Sequence, residues 1–113
     1  MDTVSLLEKA LNIRAFYQRV LASNIANVET PGYREKRIDF QAEIGRSGTG
    51  SGSGVQVTEA DPPDGANSLD GNSVNMEDQV VKMTENSLMY NALVQLISKK
   101  FSMLKYVING GGQ

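Results

Sequence analysis

The stretch MEDQVVKMTENSLMYNALVQLISKKFSMLKYVI, residues 76–108, decides the fold. Met76, Val80, Met83, Ser87, Tyr90, Val94, Ile97, Phe101, Leu104 and Ile108 follow one another in strides of four and three, with Ser87 the single polar interruption. That spacing puts them on one side of an α-helix and excludes a strand, whose side chains repeat every second residue. Asn75 is suited to cap the helix, and Glu77 and Asp78 place negative charge at the positive end of its dipole. Lys105 falls in the last turn, and Gly110 after Asn109 provides a stop. The spacing predicts one helix over 75–110, about 50 Å long at 1.5 Å per residue. A second stripe, Leu93, Leu96, Met103 and Val107, runs beside the first. One partner helix covers one stripe and leaves the other in water. Burying the second stripe together with Met89 would contribute roughly 7–15 kcal/mol, an upper bound because the unfolded chain already hides some apolar area. The sequence therefore predicts self-assembly or partner helices.

Working back along the chain, the N-terminal segment shows the same rhythm. Leu6, Ala10, Ile13, Tyr17 and Val20 step in threes and fours, and the register continues into Asn24 and Asn27. Leu7, Leu11, Leu21, Ile25 and Val28 widen the apolar face. Ser5 and Glu8 have the spacing of a capping box, with Asp2 or Thr3 as rival caps. The helix ends near Val28, because Pro31 disfavours helix at the residue before it. Thr30-Pro31-Gly32-Tyr33 reads as a type II turn, with proline presetting the first corner and glycine supplying positive φ at the second.

Between the ends the composition changes. Residues 41–75 carry one basic side chain, Arg46, against Glu43, Glu59, Asp61, Asp64 and Asp70, and they hold seven of the eleven glycines. Too few apolar side chains remain to offset the entropy of ordering, so 45–74 is expected to be a flexible linker. Short strands at 36–40 and 55–58 are conceivable. The domain plan is an N-terminal helix over 1–30, the turn and a short extended segment over 31–44, the linker over 45–74, and the C-terminal helix over 75–110. Two long helices and no clear strand make the chain all-α.

Composition removes most chemistry. The chain has 113 residues, a formal net charge of −2, no cysteine and no histidine. Thiol nucleophiles, disulfides, zinc and iron-sulfur sites, and imidazole acid-base catalysis are excluded. The carboxylates cluster in the segment least able to hold them, so no catalytic, cofactor or metal site is expected and the chain is not read as an enzyme. A near-neutral balance does not suit a nucleic-acid binder. The first residues lack the basic and apolar regions of a cleaved signal, and no run reaches the ~18–20 apolar residues of a membrane span. Membrane-surface binding fits poorly because acids oppose the lysines along the last helix. A four-helix dimer and a self-associating coiled-coil adaptor remain open beside a larger polymer.

Ser23, Asn24, Ile25, Ala26 and Asn27, followed by Thr30, Pro31, Gly32 and Tyr33, resemble the signature of the bacterial flagellar rod and hook family, the axial proteins of the basal body. The segment from Met83 to Gly111, and the Asp39-Phe40 pair, resemble the proximal-rod members of that family. The resemblance implies an antiparallel coiled-coil pair of terminal helices, joined by the turn and the Gly/Ser-rich middle. It also implies export through the flagellar type III apparatus without signal cleavage, and helical stacking with copies of itself and other axial proteins, up to the junction of rod and inner-membrane ring. The place would be the periplasmic rod and the role torque transmission. On this reading Leu6, Ile13, Tyr17, Val20, Tyr90, Val94, Ile97, Phe101, Leu104 and Ile108 form the seam within one chain. Leu93, Leu96, Met103 and Val107 face neighbouring subunits. Asn24, Asn27, Pro31, Gly32 and Tyr33 steer the chain out of the first helix.

Overall fold

A computed structural model of the protein describes residues 2–46, 54–61 and 74–110. Its elements in chain order are α1 (Thr3–Ala26), β1 (Lys36–Arg37), α2 (Phe40–Gly45), β2 (Thr58–Glu59) and α3 (Met76–Ile108).

Local chemistry sets the helix limits. Of the three candidate caps at the N-terminus, Asp2 takes the role, its carboxylate accepting from the Ser5 N–H at 2.7 Å. Asn75 caps α3 in the same way, accepting from the Asp78 N–H at 3.0 Å. At the far end the Asn109 N–H bonds to the Lys105 carbonyl at 2.9 Å, and Gly110 turns the chain away with φ 108°.

The two long helices run antiparallel. Asn24 meets Gln79, Gln18 and Arg14 meet Asn86, and Leu7 shares a groove with Leu96 and Met103. Ile13, Val20 and Leu21 supply the buried apolar side chains of α1, and Ile97 that of α3. α2 packs against the side of α1. Its Phe40 ring meets Tyr17 edge-on with centroids 5.1 Å apart, and the Arg14 guanidinium lies 3.8 Å over the same ring. The buried amine of Lys9 donates to the carbonyls of Ile44 and Arg46, holding a positive charge at the negative end of α2.

Two expectations need correction. Within a mostly helical chain β1 and β2 pair antiparallel, with Lys36 opposite Glu59 and Arg37 opposite Thr58, a shorter ladder than the strands conceived at 36–40 and 55–58. Most of the expected linker lies outside the described residues. Of the parts within them, 45–46 close α2, Val74 is buried, and 54–61 is tied down by the ladder and by the Gln56 N–H, which donates to Glu43 at 3.2 Å.

The seam is the second correction. Ile13, Val20 and Ile97 are buried and Tyr17 is half-buried, but Leu6, Tyr90, Val94, Phe101, Leu104 and Ile108 are exposed. The line of α3 that faces α1 is Gln79, Asn86, Leu93 and Lys100, a strict seven-residue repeat beside the expected one. Gln79 and Asn86 occupy facing positions because their amides find specific partners on α1, which turns the apolar stripe partly outward. Leu93, expected to face neighbours, is half-buried, whereas Leu96, Met103 and Val107 are exposed. Beyond Phe101 there is a simpler cause. α1 begins at Thr3 and is too short to reach the end of α3.

Candidate functional site

The motif residues converge on Asn24, whose side chain is fully buried at the end of α1. Its amide donates to the Lys36 carbonyl and to Gln79 Oε1, both at 3.0 Å. Its Oδ1 accepts from the Tyr33 hydroxyl at 3.0 Å and the Lys36 N–H at 3.1 Å. Two donors and two acceptors are therefore all used. Through them one side chain ties the helix end, the returning strand and α3 together. Asn27 braces the turn itself. Its amide donates to the Ser23 carbonyl at 2.9 Å, and its Oδ1 accepts from the Thr30 hydroxyl at 3.1 Å. Ser23 Oγ lies 3.2 Å from the Tyr33 hydroxyl.

The turn closes with a Tyr33 N–H to Thr30 carbonyl bond of 3.1 Å and Gly32 at φ 79°. Because no atom lies within 4 Å of where a Cβ would stand, a side chain at Gly32 meets only the backbone penalty. Gly32→Ala is expected to cost about 1–2 kcal/mol of unfolding free energy in urea titrations. Gly32→Asn is expected to cost less, since asparagine tolerates the left-handed region.

Next to the clamp sits Glu35, buried although charged. One carboxylate oxygen accepts from Gln79 and Lys82, each at 2.8 Å, and the other from Arg37 at 3.0 Å. Burial alone would raise its pKa, but the hydrogen bonds from Lys82, Gln79 and Arg37 outweigh burial and hold it at about 2. In the unfolded chain the group titrates near 4.3. The ionised form therefore stabilises the fold above that pH, and its contribution fades as pH falls towards 2. Denaturant titrations from pH 6 to pH 2 should show this loss in the native chain and less of it in Glu35→Gln.

The second feature is a surface. Val81, Leu88, Leu96, Met103, Tyr106 and Val107 lie exposed along α3, and Ile108 reaches 81 % exposure. An open groove of about 380 Å³ between the helices is lined by Arg14, Gln18, Asn86, Ser87, Tyr90 and Asn91. Among the described residues no cluster of acidic side chains is placed to hold a metal ion, and no helix is long and apolar enough to cross a membrane.

The motif residues thus come together with Gln79 as a partner that sequence reasoning did not find. Gln79, Asn86, Glu35, Lys82 and Lys9 each meet at least one group that lies far away along the chain. Only Gln79 and Asn86 left a trace, as amides seven residues apart in an apolar helix.

A narrow helix pair with a braced turn at one end and a long apolar face in water has the build of a structural subunit, completed by what packs against it. The family model described as flagella basal body rod protein matches residues 7–34. Flagellar basal body rod protein FlgB of Salmonella typhimurium is 33% identical, in an alignment covering 92% of this chain and 91% of that protein. FlgB of Escherichia coli is also 33% identical at the same coverage, and FlgB of Bacillus subtilis is 29% identical over 96% of this chain and 95% of its own length. The chain belongs to the FlgB family of flagellar basal body rod proteins.

Proposed function

We propose that the chain is a structural subunit of the proximal part of the flagellar basal body rod, packing side by side with copies of itself and with other axial proteins. The observation that carries this reading is the apolar surface of α3, much of which the described residues leave uncovered between Val80 and Ile108. Leu96, Met103 and Val107 face neighbouring subunits. Tyr90, Val94, Phe101, Leu104 and Ile108 join them, and of the α3 residues assigned to the internal seam Ile97 keeps its place. In the assembled shaft the helices pack as coiled coils, whose interdigitated contacts resist shear and pass torque along the axis. Subunits reach the rod through the flagellar type III export apparatus without signal cleavage.

Sedimentation velocity on the purified chain across a concentration series, with electron microscopy of the concentrated sample, tests the reading. The expected result is progressive assembly into elongated oligomers. A folded monomer at the highest concentration, or a closed four-helix dimer that grows no further, would overturn it.

A further inference from the structure

α1 and α3 keep one register along their contact: Asn24 meets Gln79, Gln18 meets Asn86, and Leu7 lies with Leu96. Continued to its start, that register brings the cap residue Asp2 level with about residue 101 of α3. α3 runs on to Ile108 with no α1 beside it. At ~100° per residue, the side of α3 that holds Asn86, Leu93 and Ile97 continues in Leu104 and Ile108, with Phe101 and Val107 on either flank. This stretch is a place for a helix end or turn that the described residues do not fill.

At the opposite end the helices finish level, and the Thr30–Tyr33 turn stands beyond them. Glu29, Thr30, Pro31 and Gly32 are exposed, yet Asn24, Asn27 and Tyr33 fix the backbone beneath them. A mobile loop would meet the needs of a mere connection. A braced one is already ordered for contact, which lowers the entropy cost of binding.

Charge separates the two ends. Lys99, Lys100 and Lys105 give the α3 end a positive excess over Asp2 and Glu8, whereas the turn end has more acids than bases. Among the described residues Glu29 and Lys105 form no ion pair.

We propose that these ends meet between copies of this chain: the Pro31 turn of one seats on residues 101–108 of the next, with Glu29 beside Lys105. The contact uses two different surfaces, so it repeats along the long axis instead of closing into a dimer. The proposal rests on the self-assembly reading above and adds which surfaces meet end to end.

The chain has no cysteine, so introduced thiols report without background. Chains carrying Thr30→Cys and Ile108→Cys would be mixed and treated with a short bismaleimide, beside a control mixture of Thr30→Cys and Glu85→Cys. Cross-linked dimer is expected from the first mixture alone. Equal cross-linking in both mixtures, or none in a sample that sediments as oligomer, overturns the end-to-end contact and leaves self-assembly standing. A sample that stays monomeric removes both. A second measurement uses charge: Glu29→Lys should weaken association about 3- to 10-fold, and Lys105→Glu in the same chain should restore it. Weakening without restoration counts against the pairing of Glu29 with Lys105.

Discussion

Replacing Asn24 with leucine is expected to cost about 3–5 kcal/mol of unfolding free energy, a large share of the ~5–15 kcal/mol typical of a folded domain. Leucine occupies a similar volume, so the loss comes from the groups left behind. The Lys36 N–H and carbonyl, the Tyr33 hydroxyl and Gln79 Oε1 all lose a partner. Each buried polar group stripped of its bond costs roughly 1–3 kcal/mol, and neighbouring rearrangement recovers part of the sum. Asn24→Asp separates donors from acceptors. Aspartate still accepts from Tyr33 and the Lys36 N–H but donates to neither Gln79 nor the Lys36 carbonyl. Urea midpoints at unchanged m-value would measure both variants. A loss below about 1 kcal/mol for the leucine variant would mean that the network adds little beyond filling space.

Helix existence, the Asn75 cap, the Gly110 stop and the Pro31-Gly32 turn were legible because each depends on residues within one or two turns of itself. The facing line of α3 was not. A stride of threes and fours reports every position that some partner buries, whether that partner is α1 or another molecule. Val94, Phe101 and Leu104 obey the rhythm as well as Ile97 does, yet only Ile97 is buried within the chain. What turns α3 is the fit of Gln79 to Asn24 and of Asn86 to Gln18 and the Arg14 carbonyl, contacts that span more than fifty residues of sequence. Glu35 and Lys9 were hidden for the same reason. A charged residue in a local window reads as surface until its distant partners, Lys82 and the end of α2, are in place. The motif positions Asn24 and Asn27 were legible as unusual, amides on an apolar line, but not as a clamp.

The distribution of polarity has an energetic consequence. The contact between the long helices includes the buried polar side chains Asn24, Gln79 and Asn86, while the outer surface of α3 is rich in large apolar ones. Internal amides set the register of the pair but contribute less than apolar packing would. External apolar groups contribute only when something covers them. The protomer therefore holds a defined shape with part of its hydrophobic free energy still to be released on assembly.

That division predicts that association and folding respond separately to the end of α3. A triple variant, Phe101→Gln, Leu104→Gln and Val107→Gln, should lower the protomer's unfolding free energy by only about 1–3 kcal/mol and leave it folded, because glutamine keeps helix propensity and these side chains are about half exposed or more. Its self-association should fall sharply. Full burial of such side chains contributes ~1.5–3 kcal/mol each, and roughly half of that remains to be gained at Phe101 and Leu104, which are 49 % and 42 % exposed. With Val107 at 68 % exposure, the three together account for about 3 kcal/mol, more than 100-fold in the association constant. Sedimentation equilibrium gives that constant, and circular dichroism melts give the protomer's stability. Loss of association with a protomer that still melts cooperatively, at a modestly lower temperature, is the expected pair of results. If the melt collapses as well, residues 101–107 are part of the protomer's own core. If association persists undiminished, the contact surface lies elsewhere on the helix pair.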